Sequence, residues 1–107
     1  MIIYYDKQGQ PIVSESGIDA CLIWAKLFED TEYKVLARTE LPNGVRISTV
    51  WIGIDHSFLT EGLPMIFETM VFGENAVQGD EYQERYATEE EALAGHKTIT
   101  RIEEAAL

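Results

Sequence analysis

Four side chains in this sequence carry the chemistry expected of an acid–base or metal site: Asp55, His56, Glu68 and His96. Asp55 and His56 are adjacent where a predicted strand gives way to a loop, and loops often present catalytic side chains. A carboxylate beside an imidazole can act as a general base or bind a metal ion. A small metal-assisted or acid–base enzyme is therefore one hypothesis for this chain.

The spacing of these residues favours structural roles instead. Recognisable metal sites use closely spaced ligand pairs such as His-Glu-x-x-His, and the sequence contains no such pair. Side chains that are adjacent on a strand also point to opposite faces of a sheet. We therefore interpret Asp55 and His56 as turn residues, and we assign the chain no catalytic residue, metal ion or cofactor.

Further titratable residues also have structural interpretations. His96 lies at the edge of the apolar stripe of a predicted helix, which favours a half-buried histidine that bonds to a backbone group. Cys21 lies on an apolar stripe and is interpreted as a small core residue. Glu68 lies among apolar neighbours, and Arg38 and Arg85 on the adjacent predicted strands favour an ion pair across the sheet.

Charge is the strongest compositional signal. The 107 residues include 19 acidic and 8 basic ones, for a formal net charge of −11. Twelve of the acids and three of the bases lie in residues 54–107, so this half has a net charge of −9. Nucleic acids and anionic membranes are bound through Lys and Arg, so this composition excludes direct binding to either.

Length and apolar content predict a single folded domain over residues 1–107, with 46% hydrophobic residues to form its core. The lone Cys21 cannot form a disulfide within the chain, and the longest apolar run, residues 20–25, is too short to cross a membrane. Residues 1–6 lack the basic and apolar segments of a secretion signal. We expect a cytoplasmic protein with no membrane segment.

The hydrophobic pattern predicts an α+β fold in which two helices pack on one face of an antiparallel sheet. Asn43-Gly44 between two β-prone runs is a strong hairpin signal, and Ser16 and Thr88 are predicted helix caps. The predicted elements are an N-terminal hairpin (2–5 and 11–13), a helix (17–29), a four-strand meander (33–41, 46–54, 65–72 and 81–87) and a helix from 89 to about 103.

Both predicted helices contain residues whose role the sequence leaves open. The predicted core-facing stripe of the first helix consists of Ile18, Cys21, Leu22, Trp24, Ala25 and Phe28. Ala20, Ile23 and Leu27 lie on the opposite side, either covered by the hairpin or forming a contact with a partner or a second copy. Glu103 and Glu104 oppose the dipole at the end of the second helix, so they are tolerated through fraying or used elsewhere.

Short motifs recur along most of the chain, among them Tyr4-Tyr5-Asp6, Ser48-Thr49-Val50-Trp51, Glu84-Arg85-Tyr86 and Gly95-His96. In these motifs the sequence resembles a family of small acidic proteins of bacteriophages and prophages that has no assigned activity. The resemblance implies a genomic context and no particular chemistry. Residues 14–25 depart from the family pattern, so a contact made there belongs to this protein alone.

The leading hypothesis is a phage-type accessory protein that binds a host protein in the bacterial cytoplasm. An anti-CRISPR or anti-restriction inhibitor of this kind masks a basic nucleic-acid-binding surface with its own acidic one. A homo-oligomeric structural protein and the small enzyme are the alternatives. The predicted partner-binding residues are Glu68, Asp80, Glu81, Glu84, Glu89, Glu90 and Glu91.

Overall fold

Four consecutive strands form an antiparallel meander in the computed structural model, which describes residues 2–13, 17–55 and 62–107. The strands are Val35–Glu40 (β1), Arg46–Trp51 (β2), Phe67–Phe72 (β3) and Tyr82–Tyr86 (β4). Their order in the sheet follows their order in the chain, so β1 and β4 are the edge strands. With three helices, Gly17–Glu29 (α1), Thr31–Lys34 (α2) and Glu89–Glu104 (α3), this confirms the predicted α+β fold.

The helix α3 begins at a capping box, as predicted. The Thr88 hydroxyl accepts a hydrogen bond from the Glu91 amide at 3.1 Å and donates one to the Glu91 carboxylate at 3.0 Å. The buried residues of α3 are Ala92, His96, Ile99 and Glu103. Because they recur every three or four positions, they form one stripe, which lies across the sheet.

The short helix α2 was not predicted, and it replaces the start of the expected first strand. The Asp30 carboxylate accepts hydrogen bonds from the amides of Glu32 and Tyr33, which starts a helical turn where β-prone residues suggested a strand. The strand β2 also ends earlier than predicted, because Ile54 forms only an isolated bridge with Tyr4. Local capping thus overrides the β propensity of this segment.

The N-terminal segment turns back on itself, but it does not form two continuous strands. Tyr5 and Pro11 make a single bridge, and the Asp6 carboxylate accepts hydrogen bonds from the amides of Gln8 and Gln10 inside the turn. The Tyr5 amide also donates to the Gly53 carbonyl at 2.8 Å. The segment is therefore fixed to the chain that leaves β2.

An aromatic stack joins α1 to the end of the sheet. The ring centroids of Trp24 and Phe28 are 5.0 Å apart, and those of Phe28 and Trp51 are 6.5 Å apart. Trp51 is completely buried, and its indole N–H donates to the Tyr5 carbonyl at 3.1 Å. Trp51 therefore belongs to the core that joins α1 to the sheet.

The predicted orientation of α1 is wrong for several residues. Ile18 and Leu22 were expected to face the core, but they are 73% and 60% exposed. Ala20, Ile23 and Leu27 were expected on the side of the helix away from the core. Ala20 is buried and Leu27 packs against the core, whereas Ile23 is exposed. Ile23 therefore shares its apolar surface with Ile18 and Leu22, and the predicted patch of Ala20, Ile23 and Leu27 is not an exposed surface.

Trp24 holds one face of α1 against the N-terminal segment and the chain that leaves β2. Its indole N–H donates to the Ile52 carbonyl at 2.9 Å, and its ring lies 5.3 Å from the Tyr4 ring, centroid to centroid. The charged residues of α1, Asp19, Lys26 and Glu29, lie on the side away from Trp24 and are exposed, so the charge pattern marks the face that turns to solvent. The hydrogen bond of Trp24 and the exposed charges together account for the orientation of the helix.

Candidate functional site

Glu68 lies on the sheet face opposite α3 and is paired within the fold. It stands directly opposite Arg85 in the β3–β4 register, and the Arg85 Nε atom is 2.9 Å from its Oε2 atom. The predicted ion pair across the sheet is confirmed. Glu68 is only 8% exposed, so it is not part of the exposed acidic surface described below.

His96 lies on the other face of the sheet, beneath α3, in a cluster of threonines. Its Nε2 atom is 2.9 Å from the Thr39 hydroxyl, and its Nδ1 atom is 2.7 Å from the Thr49 hydroxyl. Thr49 is in turn bonded to the Thr69 hydroxyl on β3. His96 is thus more buried than predicted, and its partners are side-chain hydroxyls on two strands, β1 and β2, in place of a backbone group.

Burial lowers the pKa of His96 below its ordinary value of about 6.5, so the neutral form is favoured in the folded protein. The unfolded chain then takes up the proton first as the pH falls. We expect the free energy of unfolding to be highest above pH 6.5 and to decrease toward pH 5, by up to about 1.4 kcal/mol per pH unit.

Urea unfolding between pH 7 and pH 5 measures this slope. His96→Gln is expected to have a lower stability and a smaller slope over the same range. Lys97→Gln, a change at the adjacent exposed position of α3, is the matched control and should keep the slope of the unaltered protein. An equal slope in His96→Gln and the unaltered protein would contradict the assignment.

The four residues of the enzyme hypothesis do not form one site in the described part of the chain. Glu68 and Thr69 are neighbours on β3 and point to opposite faces, so Glu68 is separated by the sheet from His96. Asp55 follows β2, and His56 lies outside the described residues. Within 2–13, 17–55 and 62–107, no group of three His, Cys, Asp or Glu side chains is placed to hold a metal ion.

The remaining predicted acids surround the edge strand β4 and the first turn of α3. Glu84 lies on β4, where its carboxylate accepts a hydrogen bond from the Tyr82 hydroxyl at 3.0 Å. Asp80 accepts one from the Gly73 amide at 2.9 Å, and Glu89 lies 3.9 Å from the Lys7 amine. All are exposed except Glu89, which is half-buried. We call this surface the acidic edge: Asp80, Glu81, Glu84, Glu89, Glu90 and Glu91.

A cavity of about 330 Å³ lies between β4 and α3 and borders the acidic edge at Glu84. One of its lining residues, Gln78, carries a buried side-chain oxygen without a hydrogen-bond partner. Sequence reasoning missed this cavity. Its signal is Gly95 in the middle of α3, since a glycine inside a helix is unfavourable unless another group needs the space. The cavity is lined by Gln78, Tyr82, Glu84, Tyr86, Gly95, Thr98, Ile99 and Ile102.

Comparison of the chain with protein families, with curated proteins and with solved structures gives no match. Among the helices that the structure describes, none is long and apolar enough to cross a membrane. The geometry of the acidic edge and its cavity is therefore the basis for assigning a function.

Proposed function

We propose that this chain is a small phage- or prophage-type accessory protein that binds a host protein through the acidic edge. In this role it acts as an inhibitor of a nuclease-based defence system and masks a basic nucleic-acid-binding surface. The observation that carries the proposal is the exposure of five acids around one edge strand and the adjoining helix start, with few basic residues among them. Opposite charges of this kind increase the association rate and the specificity of a complex.

The dimensions of the acidic edge support competition with nucleic acid. Five strand residues span roughly 16 Å at about 3.3 Å per residue, and β4 runs from Tyr82 to Tyr86 with acids at both ends. Duplex DNA carries one charge per about 1.7 Å of its axis, so a partner groove that fits DNA presents closely spaced Lys and Arg. Glu89, Glu90 and Glu91 also lie at the positive end of the α3 dipole, where acidic residues stabilise the start of the helix.

Capture of a host protein from bacterial lysate, with duplex DNA as competitor, tests the proposal. We expect DNA and high salt each to release the captured protein, because both compete for the same basic groups. Binding that survives high salt and DNA, or the absence of any specific partner, would contradict it.

A matched pair of double variants separates the effect of where the charges lie from the effect of the total charge. Glu81→Gln with Glu90→Gln removes two exposed charges from the acidic edge, and we expect about fivefold weaker capture. Glu29→Gln with Glu40→Gln changes the net charge equally at exposed positions elsewhere, and capture should stay within about twofold. Equal losses in the two double variants would rule out a contact at the acidic edge.

A second candidate, assembly of two copies through α1, is favoured by a specific observation. A groove along α1 is lined by Leu22, Ile23 and Ala25, with charged residues at its margins. Antiparallel pairing of two copies about the midpoint between Leu22 and Ile23 brings Asp19 of one copy opposite Lys26 of the other. A two-fold contact of this kind is self-complementary in charge and apolar at its centre.

Sedimentation of the purified protein measures the dimer directly. If the two copies associate through α1, Leu22→Glu should produce a monomer without lowering the unfolding temperature of the fold, because Leu22 is exposed. Leu93→Glu, a similar change at an exposed position of α3, is the control and should leave the association unchanged. A monomer at all concentrations of the unaltered protein would exclude this candidate.

A further inference from the structure

The cavity between β4 and α3 has walls of mixed character. Aromatic rings come from Tyr82 and Tyr86 on β4, and aliphatic side chains come from Ile99 and Ile102 on α3. The only ionised side chain among the lining residues is that of Glu84. A cavity with aromatic walls, an apolar base and one carboxylate suits an organic cation.

One buried atom in the lining residues lacks a hydrogen-bond partner: the Gln78 side-chain oxygen, which is an acceptor. Tyr86 is only 9% exposed, and burial raises the pKa of its phenol against a smaller opposing effect of a hydrogen bond with the Thr69 side chain, so the hydroxyl is neutral at physiological pH. Buried polar groups without partners are unfavourable, so a ligand with N–H donors would relieve the cost.

The space beside Tyr86 depends on Gly95. A side-chain carbon at this position of α3 would overlap the Tyr86 hydroxyl and ring. Alanine at this position would stabilise the helix more than glycine does. The glycine instead leaves the space in which the Tyr86 ring approaches the helix backbone at the wall of the cavity. Glu91 lies one helical turn before Gly95 and adds a second carboxylate near the same side of α3.

We propose that this cavity receives an arginine side chain of the basic partner. The planar guanidinium group stacks on tyrosine rings, pairs with a carboxylate and supplies up to five N–H donors. Glu84 provides the carboxylate, Tyr82 and Tyr86 provide the rings, and the Gln78 oxygen accepts a hydrogen bond. Arginines seated in pockets at the centre of an interface commonly dominate its affinity. The inference rests on the proposed function, because it names the partner group that the acidic edge binds.

The experiment uses the full chain and N-acetyl-arginine N-methylamide as the probe. Amide resonances in two-dimensional NMR spectra should shift at Tyr86, Gly95 and Thr98 as the probe is added, with a dissociation constant on the order of 1 mM. The citrulline analogue has the same shape without the charge, and it should bind at least about tenfold more weakly. Equal binding of the two analogues, no shifts, or shifts confined to the exposed acids outside the cavity would overturn the inference.

Two matched variants locate the binding. Glu84→Gln removes the carboxylate that lines the cavity, and probe binding should weaken about fivefold or more. Glu40→Gln removes the same charge from an exposed residue of β1, at the opposite edge of the sheet and outside the cavity lining, and should change binding less than twofold. Glu84 is exposed, so both variants are expected to fold, and their unfolding temperatures verify it. Equal weakening in both would overturn the assignment to the cavity.

The outcomes separate this inference from the proposed function. If the acidic edge captures a host protein in a manner sensitive to salt and DNA while the arginine probe does not bind, the cavity inference fails and the proposed function stands. If the probe binds in the cavity but no host protein is captured, the cavity is a site for guanidinium groups and the proposed function fails.

Discussion

Gly53→Ala is expected to lower the free energy of unfolding by about 2–5 kcal/mol. Gly53 has a φ angle of +70°, which alanine adopts only with strain, and its added carbon would lie 2.5 Å from Trp51 Cζ2 and 2.7 Å from Trp24 Nε1. Neither indole can retreat, because both donate hydrogen bonds to backbone carbonyls on the segments that meet here. The backbone itself must therefore move.

Urea unfolding of the variant measures this loss, and a control separates strain from crowding. Gly44→Ala also places alanine at a positive φ angle, of +87°, but nothing lies within 4 Å of the added carbon. Its loss should be only about 1 kcal/mol, from backbone strain alone. Similar losses at the two positions would mean that the two tryptophans do not restrict Gly53.

Glu103→Leu is expected to destabilise the fold by about 2–5 kcal/mol, because two backbone amides would lose their partner. Glu103 is completely buried, and its two carboxylate oxygens accept hydrogen bonds from the amides of Val77 at 2.8 Å and Gln78 at 3.1 Å. Leucine fills a similar volume but accepts no hydrogen bond. The amide protons of Val77 and Gln78 should also exchange faster with solvent.

The adjacent residue provides the control for this variant. Glu104→Leu makes the same chemical change at an exposed position, so the free energy of unfolding should change by less than about 0.5 kcal/mol. If both leucine variants unfold at the same urea concentration, the carboxylate of Glu103 does not hold the Val77 and Gln78 segment.

Local signals in the sequence predicted the positions of most elements. The cap at Thr88 predicted the start of α3, and the Asn43-Gly44 turn predicted the pairing of β1 with β2. The ion pair of Glu68 with Arg85 was also predictable, because it requires only neighbouring strands and a polar residue that must find a partner.

Features that depend on contacts between distant parts of the chain were harder to predict from the sequence. The hydrogen bond from the Trp24 indole to the Ile52 carbonyl joins residues 28 positions apart, so the helical pattern does not contain it, although the charged residues of α1 mark its exposed face. Glu103 was recognised as unfavourable at a helix end, but its use requires the Val77 segment, which lies 26 residues earlier in the chain. Gly95 inside α3 signals that another group needs the space, but it does not identify Tyr86 or the cavity, which require the packing of α3 against β4.

The contact of Glu103 with the β3–β4 connection has a consequence for the entropy of complex formation. The segment held by Glu103 contains Gln78 of the cavity and leads directly into Asp80 and Glu81. If a partner binds the acidic edge as proposed, the backbone that carries these groups is ordered before the partner arrives, and little backbone freedom is lost on binding. Loosening this segment through Glu103→Leu should slow association at 25 °C and make binding more costly in entropy, even where every acid of the surface is retained.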